Sequence, residues 1–154
     1  MPGDEPGMRP MDIALAEARS AAARGEVPVG AVVVGPDGAV LARAGNQVEA
    51  DRDAAAHAEL LALRSAARAT GSPRLPGCDL VATLEPCPMC AAAAVHFRVR
   101  RVVFGAYDPK GGGVEHGPRI FASPNCLHRP EVVGGVRETE AGALLRGFFA
   151  GLRA

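Results

Sequence analysis

Two short apolar runs, DLVATL at 79–84 and RRVVFGA at 100–106, constrain this chain more than any other feature. Their apolar residues are continuous rather than alternating, the mark of strands buried on both faces. Such strands need cover above and below. Helix-type segments supply it: MDIALAEARSAAAR at 11–24, stopped by Gly25; DAAAHAELLALRSAARA at 53–69; PCPMCAAAAVHF between the two runs; and TEAGALLRGFFAGLR at 139–153. A hairpin fits 29–46, where VPVGAVVVG, the turn GPDG and AVLARAGN follow one another, and VVGGV adds a late strand. This order implies a single sheet with helices on both faces, an α/β fold of the three-layer α/β/α sandwich type.

The 154 residues, 48% hydrophobic and 22% charged, suit a single domain over 1–154 with a flexible N-terminal extension at 1–8. A chain of this length buries about 68–70% of its unfolded surface. No apolar run approaches the roughly 18 residues needed to cross a bilayer, and the start MPGDEPGMRP lacks a secretory pattern. A cytoplasmic protein without membrane contact is expected. Charge balances at 17 Lys+Arg against 17 Asp+Glu, so no general field draws the molecule to nucleic acid. From residue 95 onward nine basic residues outnumber five acidic ones, a mild basic bias.

The chemistry-bearing stretch is CPMC. Pro88 suits a first helical turn, and the spacing of three brings Cys87 and Cys90 to one side of it. The positive end of a helix lowers thiol pKa values, so the pair suits a borderline-soft cation such as zinc. Two other readings exist, a thioredoxin-like redox pair and half of a structural four-cysteine site. A redox motif would follow the first strand of a βαβ unit, whereas this one lies deep in the chain. A structural site would need a second CxxC, and Cys78 and Cys126 are isolated.

His57, about 30 residues upstream, is the natural third ligand. One neutral imidazole and two thiolates neutralise Zn2+ and leave a fourth tetrahedral position for water, whose pKa falls toward 7. Glu59 then fits a proton shuttle, a carboxylate beside the metal but not on it. Residues two apart do not share a helical face. His57 and Glu59 can therefore serve one site only at a helix end, so a helix should begin within a residue or two of His57, with its N-terminus aimed at the metal.

HAE at 57–59 with PCPMC at 86–90 resembles the zinc-dependent cytidine deaminase superfamily. Within it, EVPVGAVVV, AGN, AHAELLALR, ATLEPCPMCAAAAVH, RRVVFGAYDPK and LLRGFF are similar in order and spacing to the bacterial tRNA-specific adenosine deaminases, over roughly residues 8–153. That resemblance implies a five-stranded mixed sheet, a homodimer, and conversion of the wobble adenosine of a tRNA anticodon to inosine. It matches His57, Cys87 and Cys90 to the zinc ligands and Glu59 to the proton shuttle. Asn46 falls where the flipped nucleotide is held and Asp108 where RNA is contacted near the target. The alternative is a deaminase of a free nucleobase or nucleoside, cytosine or guanine among them, built on the same zinc site. GGGVEHGPRIF departs from the family's pattern of a Gly-Ala-rich turn leading to Ser, and His116 within it reads as an exposed loop histidine. The Leu and Phe stripe of LLRGFF reads as core or dimer contact rather than an RNA surface.

Overall fold

The computed structural model describes residues 8–153; apart from Met8, the expected N-terminal extension lies outside them. A first helix, α1, runs Met8–Ala23, followed by the hairpin β1 (Gly30–Val34) and β2 (Val40–Gly45). A single turn, α2 (Val48–Asp51), precedes α3 (Ala58–Thr70). Then come β3 (Asp79–Leu84), α4 (Pro88–His96), β4 (Arg101–Ala106), a 3-10 turn at Ile120–Ala122, β5 (Glu131–Val133) and α5 (Glu138–Arg153). Among the described residues, no helix is long and apolar enough to cross a membrane.

The five strands form one mixed sheet in the order β2-β1-β3-β4-β5. β1 is antiparallel to both β2 and β3, whereas β3, β4 and β5 run parallel. Central strands covered on both faces give the continuous apolar runs seen in the sequence. Alternate residues part to opposite sides. Ala31 and Val33 of β1, Leu80 and Ala82 of β3, and Val102 and Phe104 of β4 pack under Ala62, Leu63 and Ala66 of α3 and Ala91 and Ala94 of α4. Val32, Val81 and Val103 face the other way, onto Met11, Ala14 and Leu15 of α1 and Ala141 of α5. The layers are the expected α/β/α sandwich.

Small residues set the spacing. A methyl group on Gly30 would overlap the Ala14 carbonyl and reach within 2.8 Å of Ala18 N, so glycine is what lets α1 lie directly on β1. Gly30 N–H also donates to Thr83 Oγ1 at 3.1 Å, tying the start of β1 to the end of β3. That end of the sheet gathers the start of β1, the end of β2 at Asn46, and the exits of β3 and β4 at Glu85 and Asp108. The carboxyl ends of parallel strands are where open α/β sheets place their ligands.

Candidate active site

His57 and Cys87 are both N-cap residues, extended at φ −75°, ψ 146° and φ −67°, ψ 169°. Each carbonyl accepts the first intrahelical bond, from Leu61 N at 3.0 Å and from Ala91 N at 2.8 Å. The helices α3 and α4 thus begin at the site, as the spacing of His57 and Glu59 requires. His57 Nδ1 lies 3.5 Å from Cys87 Sγ and 3.7 Å from Cys90 Sγ, and the three donor atoms all fall within 4.8 Å of one another. Zinc bonds of about 2.3 Å to sulfur and 2.05 Å to nitrogen at tetrahedral angles set N···S separations of about 3.6 Å. The donor set fits that ion in identity and in spacing.

Electrostatics lead the same way. Hydrogen bonding from Cys90, and then from His57, outweighs burial and lowers the Cys87 thiol to about 4. Cys90, wholly buried, is pushed up by the neighbouring Cys87 sulfur and by burial. One sulfur thus ionises at the expense of the other, and a bound cation would hold both as thiolates. His57 is raised, chiefly by its contact with Cys87. Glu59, 4% exposed in the first turn of α3, is raised by burial to about 7. A carboxyl poised there can take or give a proton near neutrality.

His57, Glu59 and Cys87 line a cavity of about 580 Å³ whose walls also carry Asn46 and Asp108. Of the six candidate site residues, all but Cys90 line this space; Cys90 is wholly buried, with its Sγ 3.7 Å from His57 Nδ1. Asn46, which follows β2, turns its side chain toward α3, where its Oδ1 accepts from Ala58 N at 2.8 Å. That bond fixes the amide: Oδ1 faces the helix start and Nδ2 is left as a donor. Asp108 closes a short turn, its Oδ1 accepting from Gly111 N at 3.0 Å and Lys110 N at 3.3 Å.

Three features of the site escaped the sequence reading. Glu26 lines the cavity and accepts from Glu49 N at 3.0 Å and Ala50 N at 2.8 Å, fixing α2 beside it. Those two donors, Glu49 foremost, hold its carboxyl below the usual range. Glu85, its side chain fully buried, lies behind Asp108 and gathers the following loop. Burial pushes the Glu85 carboxyl up, yet donors led by Asp108 N–H leave it below the usual range.

The third feature is the far end of the stripe on α5, which was expected as core or dimer contact. Leu145 packs against the core, but Phe148, Phe149 and Leu152 line the cavity, and Phe149 and Leu152 stand 42% and 68% exposed. Glu26 and Glu85 occur within the stretches EVPVGAVVV and ATLEPCPMC, so both were visible as letters, but neither has a local spacing that reveals its partners.

Comparison with known proteins adds an independent line. Residues 6–106 match the family model of the cytidine and deoxycytidylate deaminase zinc-binding region. A tRNA-specific adenosine deaminase of Agrobacterium fabrum is 54% identical over 139 residues, covering 90% of this chain and 91% of that protein. A structure from a study of A-to-I editing by tRNA:A34 deaminases at the wobble position of transfer RNA superposes with a TM-score of 0.86 at 53% identity, covering 88% of this chain and 97% of that one. A guanine deaminase from Nitrosomonas europaea superposes with a TM-score of 0.73 at 30% identity, covering 91% and 82%.

Proposed function

Because the chain belongs to the cytidine and deoxycytidylate deaminase family, alongside the tRNA-specific adenosine deaminases, we propose that it is a zinc-dependent hydrolase converting the wobble adenosine of a tRNA anticodon to inosine. The observation that carries this reading is the buried Glu59 carboxyl beside the His57, Cys87 and Cys90 cluster on the wall of one cavity. The gap between 53% identity to the A34 deaminase structure and 30% to a guanine deaminase favours tRNA over a free base.

His57 Nδ1, Cys87 Sγ and Cys90 Sγ would hold the zinc ion. When bound, it supplies the Lewis acidity that makes water nucleophilic near neutral pH. Glu59 takes a proton from the attacking water and delivers it to N1 of adenine, then takes the second proton from the new C6 hydroxyl and passes it to the departing amine. The C6–O bond forms, the C6–N bond breaks, and ammonia leaves. Asn46 donates through Nδ2 to the nucleotide in the cavity, and Asp108 contacts the RNA beside the target. An anticodon loop presents unstacked bases, the form in which a base can reach such a site. The anticodon stem-loop is therefore the proposed partner of a cytoplasmic, homodimeric enzyme in which 1–154 form one domain.

The test is incubation of the purified protein with an arginine tRNA transcript bearing anticodon ACG, in parallel with free adenosine, cytosine and guanine. Inosine at the wobble position without turnover of the small molecules is expected. Ammonia release from a free base alone would overturn the assignment. Light scattering of the purified protein tests the dimer, for which twice the 15.8 kDa chain mass is expected.

A further inference from the structure

The loop after β4 is wrapped around one carboxylate. Glu85 Oε1 accepts from Asp108 N at 3.0 Å, and Oε2 accepts from Val114 N at 3.2 Å, Glu115 N at 2.8 Å and His116 N at 3.1 Å. A fifth donor is the His116 ring, whose Nδ1 lies 2.8 Å from Oε1. A carboxylate only accepts, so Nδ1 carries the proton. The Tyr107 ring stands edge-on to this imidazole at 6.1 Å. The glycines of GGGVEHGP follow from the same enclosure. A methyl group on Gly112 would lie 2.5 Å from Glu85 Cδ and Oε2, and one on Gly113 would lie 2.6 Å from Pro88 N. No residue with a side chain could pass so close behind the site.

We propose that His116 is a positioning residue: its ring, bonded to Glu85, latches the 108–116 loop and so sets Asp108 on the cavity wall. The latch joins the loop's two ends through one carboxylate, since Glu85 Oε1 is shared by Asp108 N–H and the His116 ring. His116, expected as an exposed loop histidine, is half-buried with its ring on Glu85. With the ring bond gone, four backbone donors still face Glu85, but the outer end of the loop is held by main chain alone. The inference rests on the proposed function, because Asp108 is taken to meet RNA.

The side chain of His116 is 34% exposed, so its replacement leaves the core intact. Loss of one hydrogen bond to a charged group shifts the closed–open balance of the loop by roughly tenfold or more; the closed population falls by less, because four backbone donors still favour it, and apparent affinity follows that population. In His116→Ala, KM for an anticodon stem-loop should therefore rise by up to about tenfold while kcat and zinc content stay at the wild-type level. His116→Asn places an amide N–H near the position of Nδ1 and should restore KM. A merely structural role would lower the active fraction, hence kcat, and leave KM alone.

Amide hydrogen exchange gives a second readout that needs no substrate. Protection of the Asp108 and Glu115 amides should fall in His116→Ala and return in His116→Asn. Unchanged protection, or an unchanged KM on RNA that the wild type processes, overturns the latch. Failure of the wild type to form wobble inosine would instead overturn the substrate assignment, with the exchange measurement still deciding whether the latch exists.

Discussion

Substitution of Asn46 separates two roles that the fold assigns to one side chain. Its Oδ1 accepts from Ala58 N at 2.8 Å, at a residue with no exposure and one step from the ligand His57. Asn46→Ala strands that buried donor, which costs about 1–3 kcal/mol for an unpaired group. The lost cap at the start of α3 belongs to the same cost, so the two are not added. At roughly 2 kcal/mol, a domain of this size loses about 4–8 °C in Tm. Asn46→Asp keeps the acceptor, favoured by the positive end of the helix, and should recover most of the loss. It also removes Nδ2, the donor left for a substrate. Thermal unfolding followed by circular dichroism, paired with wobble-inosine formation, reads both effects. Asn46→Ala should be unstable and impaired, whereas Asn46→Asp should be nearly as stable as the wild type and impaired. If Asn46→Ala unfolds at the wild-type temperature, or Asn46→Asp is as unstable as Asn46→Ala, the capping argument is wrong.

The remaining predictions concern single groups. Glu59→Gln should retain one zinc per chain by elemental analysis and lose at least about a hundredfold in kcat, the usual contribution of general acid–base catalysis; near-normal turnover would remove Glu59 from the reaction. Gly30→Ala should cost about 1–3 kcal/mol in urea unfolding, because the added methyl meets the Ala14 carbonyl and α1 must move off β1. Glu26 has a folded pKa below its ordinary value of 4.5, so its contribution to stability is present above about pH 4.5 and is lost as pH falls through the lower folded value. The stability difference between wild type and Glu26→Gln should accordingly be full at pH 6 and shrink on acidification; a gap that is constant with pH would contradict this linkage.

The parts of the fold that repeat along the chain were legible in the sequence. Continuous apolar runs gave β3 and β4, and the shared demands of His57 and Glu59 placed the start of α3 at the site. What stayed hidden depends on partners distant in sequence. Glu26 bonds main-chain groups 23 and 24 residues away, and Glu85 bonds groups 23 to 31 residues away. A carboxylate that satisfies backbone donors leaves no pattern, because those donors belong to every residue type. The contact of the His116 ring with Glu85, 31 residues away, stayed hidden for the same reason. That the α5 stripe also reaches the cavity stayed hidden because helical periodicity identifies an apolar face and says nothing about which neighbours it meets.

The loop behind Asp108 bears on how this kind of enzyme can diversify. The match to the family model ends at residue 106, so it takes in Glu59 and the three side chains proposed to hold zinc, whereas Asp108, Gly111, Phe148, Phe149 and Leu152 lie beyond it. The proposed reaction chemistry and these five cavity-lining residues are thus written in successive lengths of the chain. Exchange of the C-terminal third between relatives would carry a new rim to an unchanged metal centre, provided the incoming loop supplies donors that match Glu85. That carboxylate is one joint where the two lengths must be compatible, beside the packing of Ala141 on Val81 and Val103 and the pairing of β5 with β4.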